Sequence, residues 1–256
     1  MGAARPGSAA EIGLRLIDEK PPAEPARRRR IVYGRRRGRK LRPGQRDLLS
    51  DLLPSLRLAL PERGGLDPQT LFPAPKRDLW LEIGFGAGEH LAAQAAAHPD
   101  IGFIGAEVFE NGVVKLLAAV REGGLENVRV LVDDARLLLA ALPDRSLGRV
   151  FILFPDPWPK LRHHKRRMVS PATLDQLARL MRDGAELRLA TDDVGYLRWM
   201  LELAPVHPAF EWTARGPADW RQRPADWPGT RYERKAILAG RQPCFLSLVR
   251  RPRDRG

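Results

Sequence analysis

The chain of 256 residues has a single cysteine, Cys244, and no apolar run long enough to span a membrane. One cysteine excludes an internal disulfide and a zinc site built from several thiolates. The longest apolar runs have the length of a strand, whereas a transmembrane helix needs about 20 apolar residues. The N-terminus also lacks the apolar core of a secretory signal. We therefore expect a cytoplasmic protein that does not bind membranes.

Acidic residues are scarce relative to basic ones. The chain has 31 Asp and Glu against 44 Lys and Arg, which gives a formal net charge of +13 and an isoelectric point near 10.8. Such an excess favours a polyanionic partner, most often nucleic acid. Hydrophobic residues make up 43% of the sequence, and at this length that share suits one sizeable α/β core.

The composition divides the chain into three parts, residues 1–26, 27–60 and 61–256. The first part is rich in Ala, Pro, Gly and charge without a sustained period, which predicts a disordered or weakly ordered tail. The second holds the basic segment RRRRIVYGRRRGRKLRPGQ and a short helix that Pro54 should end or kink. This segment could grip phosphates or be a solvated tail, and its sequence supports both equally. The third part forms the main domain.

Strand and helix patterns alternate from Asp78 to Ala204. Five apolar strand patterns, the first of them DLWLEIGF, are separated by helix patterns such as GEHLAAQAAAH. One helix pattern, SPATLDQLARLMRDG, has Ser170 as its N-cap and ends on Gly184. FEWTA and CFLSLVRR add two late strands. The alternation predicts an α/β fold whose central sheet is mostly parallel, with helices on both faces.

A glycine-rich turn, LEIGFGAGEH, follows the first strand. A dinucleotide site would require glycine where Glu89 stands, and Glu82 would repel a pyrophosphate. A cationic ligand without phosphate, such as S-adenosylmethionine, is favoured instead. Glu107 ends the second strand, where it could accept hydrogen bonds from ribose hydroxyls, and Asp134 follows the third, where it could accept from an adenine amino group. The alternative is a structural turn with scattered acids at strand ends. The candidate cofactor-binding residues are Glu82, Gly84, Gly86, Gly88, Glu107, Asp134 and Asp156.

Asp156 ends the fourth strand inside FPDPWPKLRHHKRR, residues 154–167. Three prolines stiffen the backbone around this acid, and Trp158 offers a face on which a base can stack. The basic residues that follow could hold an RNA backbone; the alternatives are a core tryptophan and a solvated loop. Adjacent histidines without suitably spaced acids do not predict a metal site. The candidate RNA-binding residues are Arg162, His163, His164, Lys165, Arg166 and Arg167.

Two later segments are less informative by themselves. TDDVGYLRWM places Asp192 just after the fifth strand, and TRYERKA, residues 230–236, is a polar stretch that is also typical of a surface loop.

Taken together, the motifs resemble those of bacterial tRNA (guanine-N7)-methyltransferases. The matching signatures are LEIGFGAGEHL, GAEVFENGV, FPDPWPKLRHHKRR, TDDVGYLRWM and GTRYERKA, and the resemblance runs from about Arg29 to Arg250. It implies a Rossmann-like class I S-adenosylmethionine-dependent methyltransferase fold for residues 61–256. It also implies methylation at N7 of the guanosine in the tRNA variable loop, position 46 in tRNA numbering.

The resemblance further implies roles for individual residues. Asp156 would be catalytic, S-adenosylmethionine the methyl donor and tRNA the partner, with no metal and with a monomer or homodimer as the working form. The implied substrate-binding residues are Lys160, Asp192, Thr230, Arg231, Tyr232 and Glu233.

Three other functions remain to be weighed against this one. An RNA-binding module without chemistry is disfavoured by the intact set of acids. Glu82 and the glycine spacing disfavour a nicotinamide-dependent dehydrogenase, and the basic cluster disfavours a small-molecule methyltransferase.

Overall fold

The computed structural model describes residue 1, residues 33–61 and residues 65–253. The predicted tail and residues 27–32 of the basic segment therefore lie outside the described residues, Met1 excepted. From Tyr33 onward the described residues belong to one compact unit. Within these ranges, no helix is long and apolar enough to cross a membrane.

In the described part of the chain, seven strands form one sheet in the order β3-β2-β1-β4-β5-β7-β6. Strands β1 to β5 run parallel, whereas β7 is antiparallel to both β5 and β6. The mostly parallel Rossmann-like sheet expected from the alternating pattern is confirmed. The strands are β1 (Asp78–Ile83), β2 (Ile101–Ala106), β3 (Val128–Leu131), β4 (Leu147–Leu153), β5 (Met181–Thr191), β6 (Phe210–Trp212) and β7 (Cys244–Arg250).

Helices cover both faces of this sheet. Alternate residues of β1 enter different apolar clusters: Leu81 packs with α5, α6 and α7, and Trp80 packs with α3 and α4. The α-helices are α1 (Pro43–Asp47), α2 (Leu53–Leu56), α3 (Glu89–Ala97), α4 (Glu110–Gly123), α5 (Ala135–Ala141), α6 (Pro171–Leu180), α7 (Val194–Leu203), α8 (Ala218–Arg221) and α9 (Arg231–Leu238). A π-helical turn spans Leu48–Leu52, and 3₁₀ turns span Pro68–Thr70 and Leu161–Arg166.

The order of the strands reverses between β1 and β4. Strand β1 pairs with β2 on one side and with β4 on the other, and all three are parallel. Their carboxyl ends therefore meet at one edge of the sheet, where folds of this kind bind ligands. The glycine turn after β1 and the loop after β4 both start at this edge.

The short helix predicted near residues 45–56 forms, and it continues through Pro54 to Leu56. A π-helical turn precedes it, which is a place where a helix can accommodate a proline that lacks an amide hydrogen. Leu48, Leu53 and Leu56 are buried in the cluster that also holds α4. Leu58 N donates to Val130 O at 2.8 Å, so this segment is attached to the edge strand β3.

The predicted extent of one helix was wrong. Helix α6 ends at Leu180 rather than at Gly184, because Met181 already pairs with Leu147 as the first residue of β5. The pairing then shifts, so that Arg149 lies opposite Glu186 and the intervening residues bulge out. Gly184 has a φ of +80° and provides the left-handed backbone inside this irregularity. A glycine after an apolar helix pattern can therefore mark a bulge in the next strand.

Candidate active site

A cavity of about 360 Å³ opens at the carboxyl ends of the strands, where their order reverses. Its volume lies in the range of roughly 300–1,000 Å³ that is common for small-molecule sites. Its wall combines the glycine turn, acids after β1 to β4, the start of α9 and part of the basic N-terminal segment. The candidate residues that line it are Glu82, Gly84, Gly86, Glu107, Asp134, Asp156, Arg166, Thr230 and Tyr232.

The glycine turn brings bare backbone to the cavity wall. Gly84, Gly86 and Gly88 have φ values of +73°, +58° and +75°, a conformation that residues with side chains rarely adopt. A Cβ atom on Gly86 would lie 2.9 Å from Cε2 of Tyr232. The turn can therefore approach both a ligand and the ring from α9, whereas a side chain at Gly86 would displace that ring.

Glu107 ties the turn to the next helix. Its Oε2 accepts from Gly86 N at 2.8 Å, and its Oε1 accepts from Val108 N at 2.7 Å and Phe109 N at 2.9 Å. Burial raises the pKa of Glu107 even though these three hydrogen bonds favour the charged form. A carboxylate has about four acceptor sites, so Glu107 can still accept from a ligand hydroxyl.

Asp134 also has a local structural task. It is the N-cap of α5, where Oδ1 accepts from Arg136 N at 2.9 Å, and it pairs with the Arg136 guanidinium at 3.0 Å. This N-cap could have been predicted from the sequence, because Asp134 directly precedes an apolar helix pattern. The cap fixes the orientation of a carboxylate that lines the cavity.

Glu82 is buried together with a histidine that the sequence analysis did not single out. Glu82 is 3% exposed, and its Oε2 lies 2.7 Å from Nδ1 of His90 in the first turn of α3. The spacing of the two residues in the sequence does not predict this pair, because it is the glycine turn between β1 and α3 that brings them together.

The loop that carries Asp156 is held in an uncommon conformation. Phe154 and Trp158, on either side of the acid, have φ values of +50° and +43°. Left-handed backbone at residues other than glycine costs of order 1–3 kcal/mol each and is often found at functional sites. Arg167 supports the loop, since its Nε donates to Pro157 O at 2.9 Å. Asp156 itself is exposed and lines the cavity.

Two adjacent arginines of the basic cluster have different surroundings. The Arg166 guanidinium lies 5.3 Å from the ring of Tyr33 and 4.9 Å from that of Trp158, and Arg166 lines the cavity. Arg167 is 3% exposed and lies over the rings of Tyr196 and Trp199, each at 5.0 Å. Arg167 was expected to face RNA, but its burial places it to support the loop instead.

The remainder of the cluster lies outside the cavity wall. Lys160, Arg162 and Lys165 are exposed on and beside the 3₁₀ turn Leu161–Arg166. His163 packs on Trp158 with ring centroids 5.9 Å apart, and partial burial together with the nearby cations lowers the pKa of His163. His164 packs on Trp199 at 5.4 Å. Apart from its buried arginine, the cluster presents a strongly basic surface beside Asp156.

The basic N-terminal segment is docked where it is described. Gly38 N donates to Asn111 Oδ1 at 2.6 Å, and Asn111 Nδ2 donates to Arg39 O at 2.8 Å, so the start of α4 holds the segment. Tyr33, Gly34 and Arg35 line the cavity. In residues 33–39 the segment is therefore anchored at the cavity mouth and is not a free solvated tail.

The polar stretch that resembled a surface loop is largely a helix. Thr230 is the N-cap of α9, and its hydroxyl accepts from Glu233 N at 3.2 Å. The spacing Thr-x-x-Glu is typical of a helix start and could have predicted this. Glu89 Oε2 accepts from Arg231 N at 2.6 Å, which attaches α9 to α3. Thr230 and Tyr232 reach the cavity as a result.

Several candidate residues do not line the cavity. Asp192 pairs with Arg241 at 2.7 Å, and Glu233 pairs with Arg223 at 2.9 Å. Among the described residues, no group of three or more His, Cys, Asp or Glu side chains is close enough to hold a metal ion. The candidates outside the wall are Gly88, Lys160, Asp192, Arg231, Glu233, Arg162, His163, His164, Lys165 and Arg167.

Comparison with known proteins places this arrangement in a family. A family described as "Putative methyltransferase" matches residues 76–246. A tRNA (guanine-N(7)-)-methyltransferase of Rhodospirillum rubrum is 57% identical over 91% of this chain and 91% of that protein. Enzymes with the same name from Paramagnetospirillum magneticum and Brucella melitensis are 54% and 45% identical, over 86% and 92% of this chain and 93% and 100% of theirs.

The structural comparison agrees on the fold. The 16S rRNA methyltransferase KamB superposes with a TM-score of 0.51 at 19% identity, over 69% of this chain and 89% of that one. At this identity the likeness shows the fold alone, which is the Rossmann-like class I methyltransferase fold. With the family match over residues 76–246 and three relatives at 45–57% identity, the chain belongs to the tRNA (guanine-N(7)-)-methyltransferase family.

Proposed function

We propose that the protein transfers a methyl group from S-adenosylmethionine to N7 of the guanosine at position 46, in the tRNA variable loop. The observation that carries the proposal is that Asp156 lines the same cavity as Glu82 and Glu107, at the reversal of the strand order. The relatives named as tRNA (guanine-N(7)-)-methyltransferases support tRNA as the substrate. Because tRNA is matured and used in the cytoplasm, the enzyme would act there.

The chemistry of the cavity wall fits this cofactor. Three carboxylates, on Glu82, Glu107 and Asp134, suit a ligand with cationic and hydroxyl groups and would repel a phosphate. Gly84 has open space where a side chain would be, and Gly86 brings bare backbone against the ring of Tyr232. When bound, S-adenosylmethionine supplies a methyl group activated by its sulfonium. The cofactor would be held by these three carboxylates and two glycines.

Guanine N7 requires little acid–base help. It has an in-plane lone pair and carries no proton at neutral pH, so no general base is needed to expose the nucleophile. The protein therefore contributes mainly by positioning the base and by electrostatics. Alkylation at N7 makes the purine ring positive, and a carboxylate beside the ring favours the transition state.

Asp156 is the carboxylate best placed for this task. It lines the cavity, whereas Asp192 and Glu233 are engaged by Arg241 and Arg223 outside its wall. The Asp156 side chain can accept from guanine N1–H and the exocyclic amine. Adenine has no donor at N1, so the same contact would discriminate between the purines.

The RNA would cross the surface beside Asp156. Lys160, Arg162 and Lys165 are exposed there and can contact phosphates, and Arg166 with Trp158 can flank the base. Thr230 and Tyr232 would contact the substrate from the start of α9. Tyr33 to Arg39 would close the mouth from a third side.

The test is methyl transfer from labelled S-adenosylmethionine to unmodified tRNA, with the modified nucleosides identified by mass spectrometry. We expect 7-methylguanosine, and we expect it to disappear when the variable-loop guanosine is changed to adenosine. A tRNA that gains no methyl group from a protein that binds the cofactor would refute the proposed substrate. Persistence of the product after the guanosine change would refute the proposed position.

A further inference from the structure

His90 lies in the cavity wall beside Glu82, where the proposed reaction gives it no direct part. It is in the first turn of α3, is 2% exposed, and contacts Glu82 through Nδ1 at 2.7 Å. Its ring packs edge-on against Phe151, with ring centroids 4.6 Å apart, and lies 6.3 Å from Trp227. Aromatic packing on two sides therefore fixes the plane of the imidazole.

The hydrogen-bond pattern assigns the protonation of the ring. An ionised Glu82 can only accept, so Nδ1 must carry the proton in the bond between them. Nε2 of His90 is buried without a hydrogen-bond partner among the described residues. With the ring neutral, that position holds a lone pair, which is cheaper to bury than the unpaired N–H of a charged ring. A neutral ring leaves the pair with a single negative charge, on Glu82.

We propose that His90 is a positioning residue that holds the Glu82 carboxylate, ionised and oriented, for the cationic end of the cofactor. The identity of that ligand rests on the proposed function. A carboxylate as buried as that of Glu82 needs a hydrogen-bond donor to remain charged, and a neutral His90 supplies one without adding a positive charge. A cation at His90 would cancel the attraction that Glu82 exerts on the ligand.

The test measures the dissociation constant of S-adenosylmethionine for variants of the full chain by calorimetry. His90→Leu removes the donor at similar volume, and we expect affinity to fall about tenfold or more, as for a lost hydrogen bond to a charged group. His90→Asn can place an amide N–H near the position of Nδ1 and should recover most of this loss. His98→Leu, the same change at the other end of α3, should bind as the wild type does. The affinity for tRNA should not change in any variant.

A double-mutant cycle separates positioning from a general structural effect. Glu82→Gln removes the charge that His90 is proposed to hold, so adding His90→Leu to it should change affinity by less than about twofold. An equal loss in both backgrounds would overturn the proposal, and so would wild-type affinity in His90→Leu. If His90→Leu does not fold, as judged by circular dichroism, His90→Gln replaces it, because its amide reaches the place of Nε2 and not that of Nδ1.

The outcome is independent of the outcome for the proposed substrate. If cofactor affinity follows this pattern but tRNA gains no 7-methylguanosine, the positioning role stands and the proposed function falls. If 7-methylguanosine forms while His90→Leu binds the cofactor normally, the function stands and the positioning role falls.

Discussion

The two walls of the cavity are built in different ways. On the wall formed by β1 to β3, carboxylates bond to nearby backbone: Glu107 to the two residues that follow it, and Asp134 to the second residue of its helix. The second wall is formed by the loop after β4 and the start of α9. It depends on side chains that join distant segments, such as Glu89 with Arg231, which are 142 residues apart. The first wall therefore takes its shape from the sheet, and the second from individual bonds. Substitutions in the first wall should therefore mainly weaken cofactor binding, and substitutions in or beside the second wall should mainly affect methyl transfer or tRNA binding.

The largest effect is expected at Asp156, on the second wall. Asp156→Ala should lower the rate of methyl transfer about 10²- to 10³-fold, the usual cost of removing one group that stabilises transition-state charge. Binding of tRNA should largely survive, because the exposed basic residues remain. Single-turnover rates and tRNA affinity measured on the same samples would check this. Glu202→Gln, an exposed carboxyl on α7, is the matched control. A loss of tRNA binding as large as the loss of rate would contradict a catalytic role.

The first wall should be broken most readily at Gly112. A Cβ atom there would overlap the carbonyl oxygen of Gly86, so the glycine turn and α4 could not both keep their positions. We expect Gly112→Ala to destabilise the protein by about 1–3 kcal/mol and to weaken cofactor binding. Thermal denaturation and calorimetry would measure the two effects.

A second glycine of the same helix provides the control. Gly123 ends α4, and a Cβ atom there would lie 3.3 Å from the flexible side chain of Leu125. Gly123→Ala should leave stability unchanged or raise it by up to about 1 kcal/mol, because alanine has the higher helix propensity. Equal destabilisation by both substitutions would contradict the special role of the contact with Gly86.

Beside the second wall, in the basic cluster, exposed and buried residues should behave differently. Changing Arg162 and Lys165 together to Ala should weaken tRNA binding and reduce its dependence on salt by about one logarithmic unit of slope per lost phosphate contact. Arg167→Leu should leave that slope unchanged. It should instead cost about 1.5–3 kcal/mol of stability, because the hydrogen bond to Pro157 O and the contacts with Tyr196 and Trp199 are lost. A weaker salt dependence of tRNA binding in Arg167→Leu would contradict the burial of Arg167, because it would mean that this side chain contacts a phosphate.

The same difference between the walls explains how much the sequence could predict. The strand, turn and helix around Gly84 follow from local periodicity and glycine, and the mostly parallel sheet follows from the alternating pattern. The start of α9 could have been predicted from the local spacing of Thr230 and Glu233, whereas its attachment to α3 depends on Glu89, far away in the chain. The burial of Arg167 depends on Tyr196 and Trp199, about thirty residues further on, and its basic neighbours gave no sign of it.

The smallest effect concerns Glu107 and pH. Burial raises the pKa of Glu107 above its ordinary value of 4.5, so the folded protein binds this proton more tightly than the unfolded chain does. The resulting stabilisation is complete below the unfolded value and is lost as pH rises through the higher folded value. The melting temperature of the wild type minus that of Glu107→Gln should therefore fall between pH 4 and pH 7, measured without cofactor. The glutamine also replaces one of the two acceptor oxygens with an amide NH₂, which offsets the whole curve without changing its slope. A difference that stays constant or rises with pH would mean that the hydrogen bonds from Gly86, Val108 and Phe109 outweigh burial, and that this wall is better solvated than its geometry indicates.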